Sequence, residues 1–163
     1  MEIALRAAVA PAAAASAARR RAALTAAVLS LAVAWVHIAY TASHLQAWWA
    51  YGAFFLAVGA GQALFAPLVL RHPRPRVALA GIAGNVAVVG MYVLSRTAGP
   101  PLGPHARVPE AAGAIDLGTT AAEIAIVGVL LTLLGGRTRL WVADGLVAGA
   151  LLLWTLRLSG TLP

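Results

Sequence analysis

The chain has 163 residues, of which 61% are hydrophobic and only 10% are charged, and its mean hydropathy is +0.85. A soluble domain carries about 25% charged residues, so these values exclude a soluble domain and indicate an integral membrane protein. The net charge of +7 comes from arginines in short clusters between apolar runs. Such clusters are topology signals and do not indicate a nucleic-acid partner. The absence of cysteine excludes disulfides, thiolate metal sites and a cysteine nucleophile.

The first 21 residues are rich in alanine and contain Arg6, Pro11 and the cluster Arg19–Arg20–Arg21. This composition favours a mobile, basic cytoplasmic tail over residues 1–21. A cleaved signal peptide is the alternative, because a basic flank, an apolar run and the small residues at 32–34 follow one another. The apolar run continues past this point, which favours an uncleaved first span.

Five apolar runs are long enough to cross a hydrocarbon core of ~30 Å as helices. We predict spans at residues 22–42, 48–70, 77–95, 119–134 (extending back to 115) and 140–159. The start of the second span carries aromatic residues typical of a membrane–water interface, Trp48, Trp49 and Tyr51. The sequence therefore predicts an all-α, polytopic transmembrane bundle that forms one domain over residues 22–160.

The distribution of arginines predicts the orientation of this bundle. With the N-terminus inside, nine arginines fall in cytoplasmic segments, and only Arg96, Arg107 and Arg157 fall outside. An excess of arginine on the cytoplasmic side is the usual pattern. We therefore predict an N-in, C-out protein of the cell membrane with the Gly- and Pro-rich loop 96–118 outside. Long loops of this kind are more often functional than short ones.

Two stripes of polar residues interrupt the apolar spans near the predicted outer surface. They are His37, Tyr40, Thr41 and His44 in the first span and Asp116, Thr120 and Glu123 in the fourth. In each stripe the helical spacing places the side chains on roughly one face. Because the fourth span enters from outside, Glu123 should lie at a depth similar to that of His37. We expect the two stripes to meet under the external loop, with His105 or Glu110 above them.

Three hypotheses account for such a cluster. His37, His44 and Glu123 offer the imidazole and carboxylate ligands that bind Zn²⁺, Cu²⁺ or non-haem iron, so a divalent metal ion is one candidate cofactor. The same groups suit a proton relay or a small-ligand site, because imidazole titrates near neutral pH. The third hypothesis is a structural hydrogen bond that ties the first span to the fourth. Deeper in the membrane, Gln62 and Asn85 predict an interhelical amide hydrogen bond.

Several short motifs occur in order between residues 37 and 123. They are His37 with His44, WWAYGAFF at 48–55, Gln62, AGIAGN at 80–85, SRTAGPP at 95–101, GPH at 103–105, Pro109–Glu110, Asp116–Leu117 and Glu123. In this series the region 25–135 resembles a group of small, uncharacterised multi-pass membrane proteins common in actinobacteria. Members of that group often have Pro-Glu where this chain has Ala42–Ser43, so an acid that would join the cluster is absent here. The resemblance implies a polytopic membrane protein and supplies no activity.

The motifs of phosphate-binding loops, zinc proteases and serine hydrolases are absent from the sequence. We therefore expect a small, non-catalytic accessory or assembly factor with a polar His/Glu cluster near the outer face. The alternative is a metal-handling or redox-associated membrane protein that uses His37, His44 and Glu123. A small proton-coupled transporter is a second alternative, although five spans are few without oligomerisation. The expected partners are the lipid bilayer and either other membrane subunits or a second copy of the chain.

Overall fold

The computed structural model describes residues 2–159, with side chains from residue 13 onward, and this part of the chain is helical without strands. The helices are α1 (Glu2–Ala47), α2 (Trp49–Arg71), α3 (Pro75–Thr97), α4 (Ala114–Leu131) and α5 (Gly136–Leu158). All are long and apolar enough to cross a membrane, α1 by its part Ala13–Ala47. The predicted all-α, multi-pass bundle with five membrane-length helices is confirmed.

The ends of the helices differ from the predicted spans by a few residues. Helix α4 begins at Ala114, next to the predicted extension back to 115, and ends at Leu131 instead of 134. Helix α1 continues to Ala47, α3 extends over Pro75–Thr97, and α5 begins at Gly136. Residues 2–21 continue α1 without a break, in keeping with the high helix propensity of alanine. The mobility of this segment stays a prediction, and the side chain of Arg6 lies outside the described residues.

Local sequence explains where two of the helices begin. Pro75 is the first residue of α3, where its fixed φ suits a helix and its missing N–H costs nothing. Asp116 lies in the first turn of α4 and accepts a hydrogen bond from the Gly113 N–H at 3.1 Å. An acidic side chain at this position also complements the partial positive charge of a helix N-terminus. Asp116 therefore helps to determine where the long loop ends and α4 begins.

Helix α1 is central to the bundle. It packs against α2 on one side and α4 on the other, α4 packs against α3, and α2 touches α3 at few places. The buried cluster combines five alanines with larger aliphatic residues, and its members are Ala23, Ala26, Ala27, Val33, Ala66, Val69, Ala78, Ile82, Ile126, Leu130, Leu133 and Leu134. Small residues let helices approach closely where lipid removes the hydrophobic driving force. Helix α5 has no buried residue and lies at the edge of the bundle.

The two ends of the bundle are distinct. One, the loop end, carries residues 98–113 between α3 and α4, and the other, the turn end, carries the turns at 72–74 and 132–135. At the turn end, Arg19 donates to the carbonyl oxygens of Pro73 at 2.9 Å and Leu133 at 3.2 Å. One arginine of α1 thus joins both turns.

Gly59 marks a close approach of α2 to α1. A Cβ atom at Gly59 would lie 2.7 Å from Ile38 Cγ1 and 3.3 Å from the Ala34 carbonyl oxygen, whereas at Gly61 it would meet nothing within 4 Å. We expect Gly59→Ala to lower the free energy of unfolding by about 1–3 kcal/mol, because overpacking pushes the helices apart. Thermal unfolding in detergent measures this effect. Gly61→Ala is the matched control and should be neutral or slightly stabilising, and equal midpoints for the two variants would contradict the close approach.

Candidate functional site

A cavity of about 320 Å³ lies at the loop end, lined by α1 to α4 and by residues 100–102 of the loop. Its volume falls within the range of about 300–1,000 Å³ that is typical of small-molecule sites. The walls are mostly apolar and aromatic, with Tyr51, Phe54 and Phe55 from α2 and Val88, Met91 and Tyr92 from α3. The cavity therefore has the composition of a ligand pocket.

The cavity begins where α2 and α3 stop touching. Near mid-helix, Gln62 Nε2 donates to Asn85 Oδ1 at 2.9 Å, and Asn85 Nδ2 donates to the Gly81 carbonyl at 2.8 Å. On the turn side of this pair, Phe65 fills the space beside Gly81. On the loop side, the cavity separates the two helices. The predicted interhelical amide hydrogen bond is confirmed, and it closes the bundle below the cavity.

The two predicted polar stripes meet at the base of the cavity. His37 Nε2 on α1 lies 3.9 Å from Glu123 Oε1 on α4, which confirms the expected contact between the first and fourth spans. Both side chains are buried, with 6% of His37 and 1% of Glu123 exposed. Tyr40 and Thr120 lie in the wall of the same cavity.

Hydrogen bonding indicates which nitrogen of the His37 ring carries a proton. Its Nδ1 lies 3.0 Å from the Val33 carbonyl, and a carbonyl can only accept, so Nδ1 carries a proton. In the neutral ring, Nε2 is then an acceptor that faces another acceptor, the Glu123 carboxylate. In the described part of the chain, Glu123 Oε1 is buried without a hydrogen-bond partner. The base of the cavity therefore accommodates a proton, a cation or a hydrogen-bond donor.

His44 does not join this pair. Its ring stacks on Phe55 with centroids 3.6 Å apart, and its Nδ1 donates to the Tyr40 carbonyl at 2.8 Å. Over the described residues, no three His, Asp or Glu side chains are grouped closely enough to hold a metal ion. The geometry brings together His37 and Glu123 and leaves His44 in the aromatic wall. A metal bound by all three residues stays a prediction.

The rim of the cavity is held by Arg96, a residue that the sequence reading did not single out. Its guanidinium group donates to Glu110 Oε2 at 2.6 Å and to Asp116 Oδ2 at 3.0 Å. The same group lies 5.0 Å from the centre of the Tyr92 ring. These contacts join the end of α3, the loop and the start of α4. The available signal was one external arginine at a helix end, close in sequence to two acidic residues.

The loop forms a roof that is also fixed to α2. The Tyr51 hydroxyl donates to the Leu102 carbonyl at 2.8 Å, and the His105 ring is stacked 6.5 Å from the Tyr51 ring. Gly103 has a φ of +95°, and a Cβ atom there would lie 2.6 Å from the Tyr51 hydroxyl. His105 is exposed on the loop and does not line the cavity. It therefore supports the roof and does not reach the Glu123 carboxylate.

These features define a helical, multi-pass membrane protein with an aromatic-lined cavity at the loop end. No family model, no curated protein and no solved structure matches the chain. The residues that surround the cavity are therefore the basis for any functional inference.

The Arg96 ion pairs should hold the roof in place. Both acidic partners are partly exposed, which limits the stabilisation to about 1 kcal/mol in total. We expect Arg96→Gln to speed amide hydrogen exchange in residues 98–113 about fivefold, the factor that corresponds to this energy. Arg107→Gln removes the same charge from the loop itself, and Arg107 makes no side-chain ion pair with the described residues. This control should leave the exchange unchanged, and equal exchange in both variants would show that the ion pairs do not fix the roof.

Proposed function

We propose that this chain is a small, non-catalytic protein of the cell membrane, an accessory or assembly factor, whose cavity binds a small molecule. The observation that carries the proposal is Glu123, which is 1% exposed, lines an apolar cavity and has a carboxylate oxygen without a hydrogen-bond partner. An acidic side chain near the middle of a span costs about 2.5–3.5 kcal/mol on insertion scales, and such residues mark ligand and ion pathways.

The distance within the buried pair favours binding over a purely structural tie. A direct hydrogen bond between imidazole and carboxylate would bring the two atoms to about 2.7–3.2 Å, whereas His37 Nε2 and Glu123 Oε1 are 3.9 Å apart. The contact between α1 and α4 has its own apolar support in buried residues such as Val33 and Ile126. The polar pair therefore adds little to the packing and leaves room for a donor.

The geometry of the cavity suits the binding of a ligand. The cavity offers aromatic faces, two acceptors at its base and a roof that is fixed at two edges. Such features hold and orient a small molecule.

The proposed orientation is N-in and C-out, with the loop end outside. The contacts of Arg19 with Pro73 and Leu133 place three arginine clusters, at 19–21, 71–76 and 137–139, at the turn end. Arginine is enriched on the cytoplasmic side of membrane proteins. This distribution supports a cytoplasmic turn end and a cavity that faces the outer leaflet.

Metal handling is the second candidate function, and the same pair of residues favours it. Zinc binds imidazole nitrogen and carboxylate oxygen at about 2.0–2.2 Å, so one ion would fit between two atoms that are 3.9 Å apart. Zinc sites normally take three or four ligands from the protein, and here His44 would first have to leave Phe55. Small-molecule binding therefore ranks first.

A cavity-filling substitution tests the proposed function. Val88 lines the cavity, whereas Val86 on the same helix is exposed. With the protein in phosphatidylcholine nanodiscs, we expect saturable binding of 4-tert-butylbenzyl alcohol to the wild type by ligand-observed NMR. Val88→Trp should weaken this binding about tenfold or more, because the indole ring occupies apolar area that the ligand would bury.

Val86→Trp is the matched control and should bind the alcohol as the wild type does. Non-saturable binding to the wild type, or unchanged binding to Val88→Trp, would contradict the proposal. Elemental analysis of the same samples addresses the second candidate. If the wild type contains a stoichiometric amount of metal and His37→Ala loses it, the metal-handling proposal replaces the small-molecule proposal.

A further inference from the structure

Two polar atoms at the cavity have no hydrogen-bond partner in the described part of the chain. One is an acceptor, Glu123 Oε1, and the other is a donor, Arg96 Nε, and both residues line the same cavity. Arg96 is bound to Asp116, which precedes Glu123 by seven residues on α4. At ~1.5 Å per residue, the rim therefore lies about 10 Å above the base. An occupant that satisfies the base must reach down past the aromatic wall.

The charges that line the cavity favour a cation. Three carboxylates, those of Glu110, Asp116 and Glu123, line it together with one guanidinium, that of Arg96. With Glu123 ionised and both imidazoles neutral, three negative charges against one positive leave a net charge of −2 around the cavity. The guanidinium is already bound to two of the acids. The carboxylate at the base is therefore the one without a cationic partner, and an anionic ligand would be repelled there.

The base also has the geometry for an ammonium group. Neutral His37 presents a lone pair at Nε2, and Glu123 Oε1 lies 3.9 Å away with its own lone pairs. A primary ammonium group has three N–H donors and no acceptor. Placed about 2.9 Å from both atoms, it donates one hydrogen bond to each of them. Hydroxyl and amide donors satisfy only the hydrogen bonding, and they leave the carboxylate charge uncompensated.

The walls fit an apolar or aromatic body behind such a head group. Phe54, Phe55 and Tyr92 contribute ring surfaces to the cavity. Aromatic faces attract cations and also pack against apolar groups. The volume of about 320 Å³ accommodates a substituted benzene ring with a short amine arm.

We propose that the ligand of this cavity is an organic amine in its ammonium form, bound with its nitrogen between Glu123 and His37 and its apolar body against the aromatic wall. This inference rests on the proposed small-molecule binding function. The ammonium group comes either from a free amine or from the head group of an aminophospholipid.

A series of three isosteric probes tests the inference in nanodiscs of phosphatidylcholine, a lipid whose head group has no N–H donor. The probes are 4-tert-butylbenzylamine, 4-tert-butylbenzyl alcohol and 4-tert-butylbenzoate. We expect the amine to bind the wild type about tenfold more tightly than the alcohol, because charge-assisted hydrogen bonds are roughly twice as strong as neutral ones. The benzoate should bind most weakly.

Glu123→Gln keeps the shape of the side chain and removes its charge. This variant should lose about tenfold in affinity for the amine and keep the affinity for the alcohol, which also shows that the variant is folded. Asp144→Asn on α5 removes the same charge at an exposed residue that does not line the cavity. This control should bind all three probes as the wild type does.

The outcomes separate the inference from the proposed function. Equal binding of amine and alcohol, tightest binding of the benzoate, or an unchanged amine affinity in Glu123→Gln overturns the inference and leaves the binding function in place. Binding of none of the probes overturns both. The wild-type probe series decides the matter even where Glu123→Gln fails to fold. In nanodiscs that contain phosphatidylethanolamine, a weaker apparent amine affinity assigns the site to the lipid head group, and an unchanged one assigns it to a free amine.

Discussion

Glu123 lies on the face of α4 that the rest of the bundle covers, and its carboxylate has no direct hydrogen bond within the described chain. A charged or polar group in that position requires a partner, since an unsatisfied buried acceptor costs about 1–3 kcal/mol. His37 approaches it and offers a second acceptor when its ring is neutral. The surrounding helices are arranged so that a cavity adjoins this pair. The Glu123 carboxylate is therefore left at the base of the cavity without a partner in the described chain.

The bundle is closed at three levels by three different kinds of polar contact. Arg19 joins the two turns at one end, Gln62 and Asn85 join α2 to α3 near mid-helix, and Arg96 joins α3 to α4 at the other end. Between the middle level and the loop end, α2 and α3 are separated, and aromatic side chains line the gap without filling it. Buried alanines and larger aliphatic residues pack together in the rest of the bundle. The cavity is therefore local and does not reflect loose packing of the whole chain.

Much of this arrangement could be predicted from sequence, because it depends on periodicity along single helices. The contact of His37 with Glu123 and the pairing of Gln62 with Asn85 follow from which polar residues share a helix face and a depth. The stacking of His44 on Phe55 and the double ion pair of Arg96 could not be predicted in this way. Both depend on how the helices are rotated about their axes and on the path of a loop with two glycines at positive φ. Such features are set by three-dimensional packing, which spacing along one segment does not encode.

The roof over the cavity has a consequence for kinetics. It is fastened on one side by the Tyr51 hydrogen bond to Leu102 and on the other by the Arg96 ion pairs. A molecule that left the cavity through this roof would have to break at least one of these contacts. Exposed ion pairs weaken as ionic strength rises, whereas interactions buried at the base are screened far less. Under the proposed binding function, the salt concentration outside the roof would act on exchange by this route, and the buried acid would act on what the cavity retains.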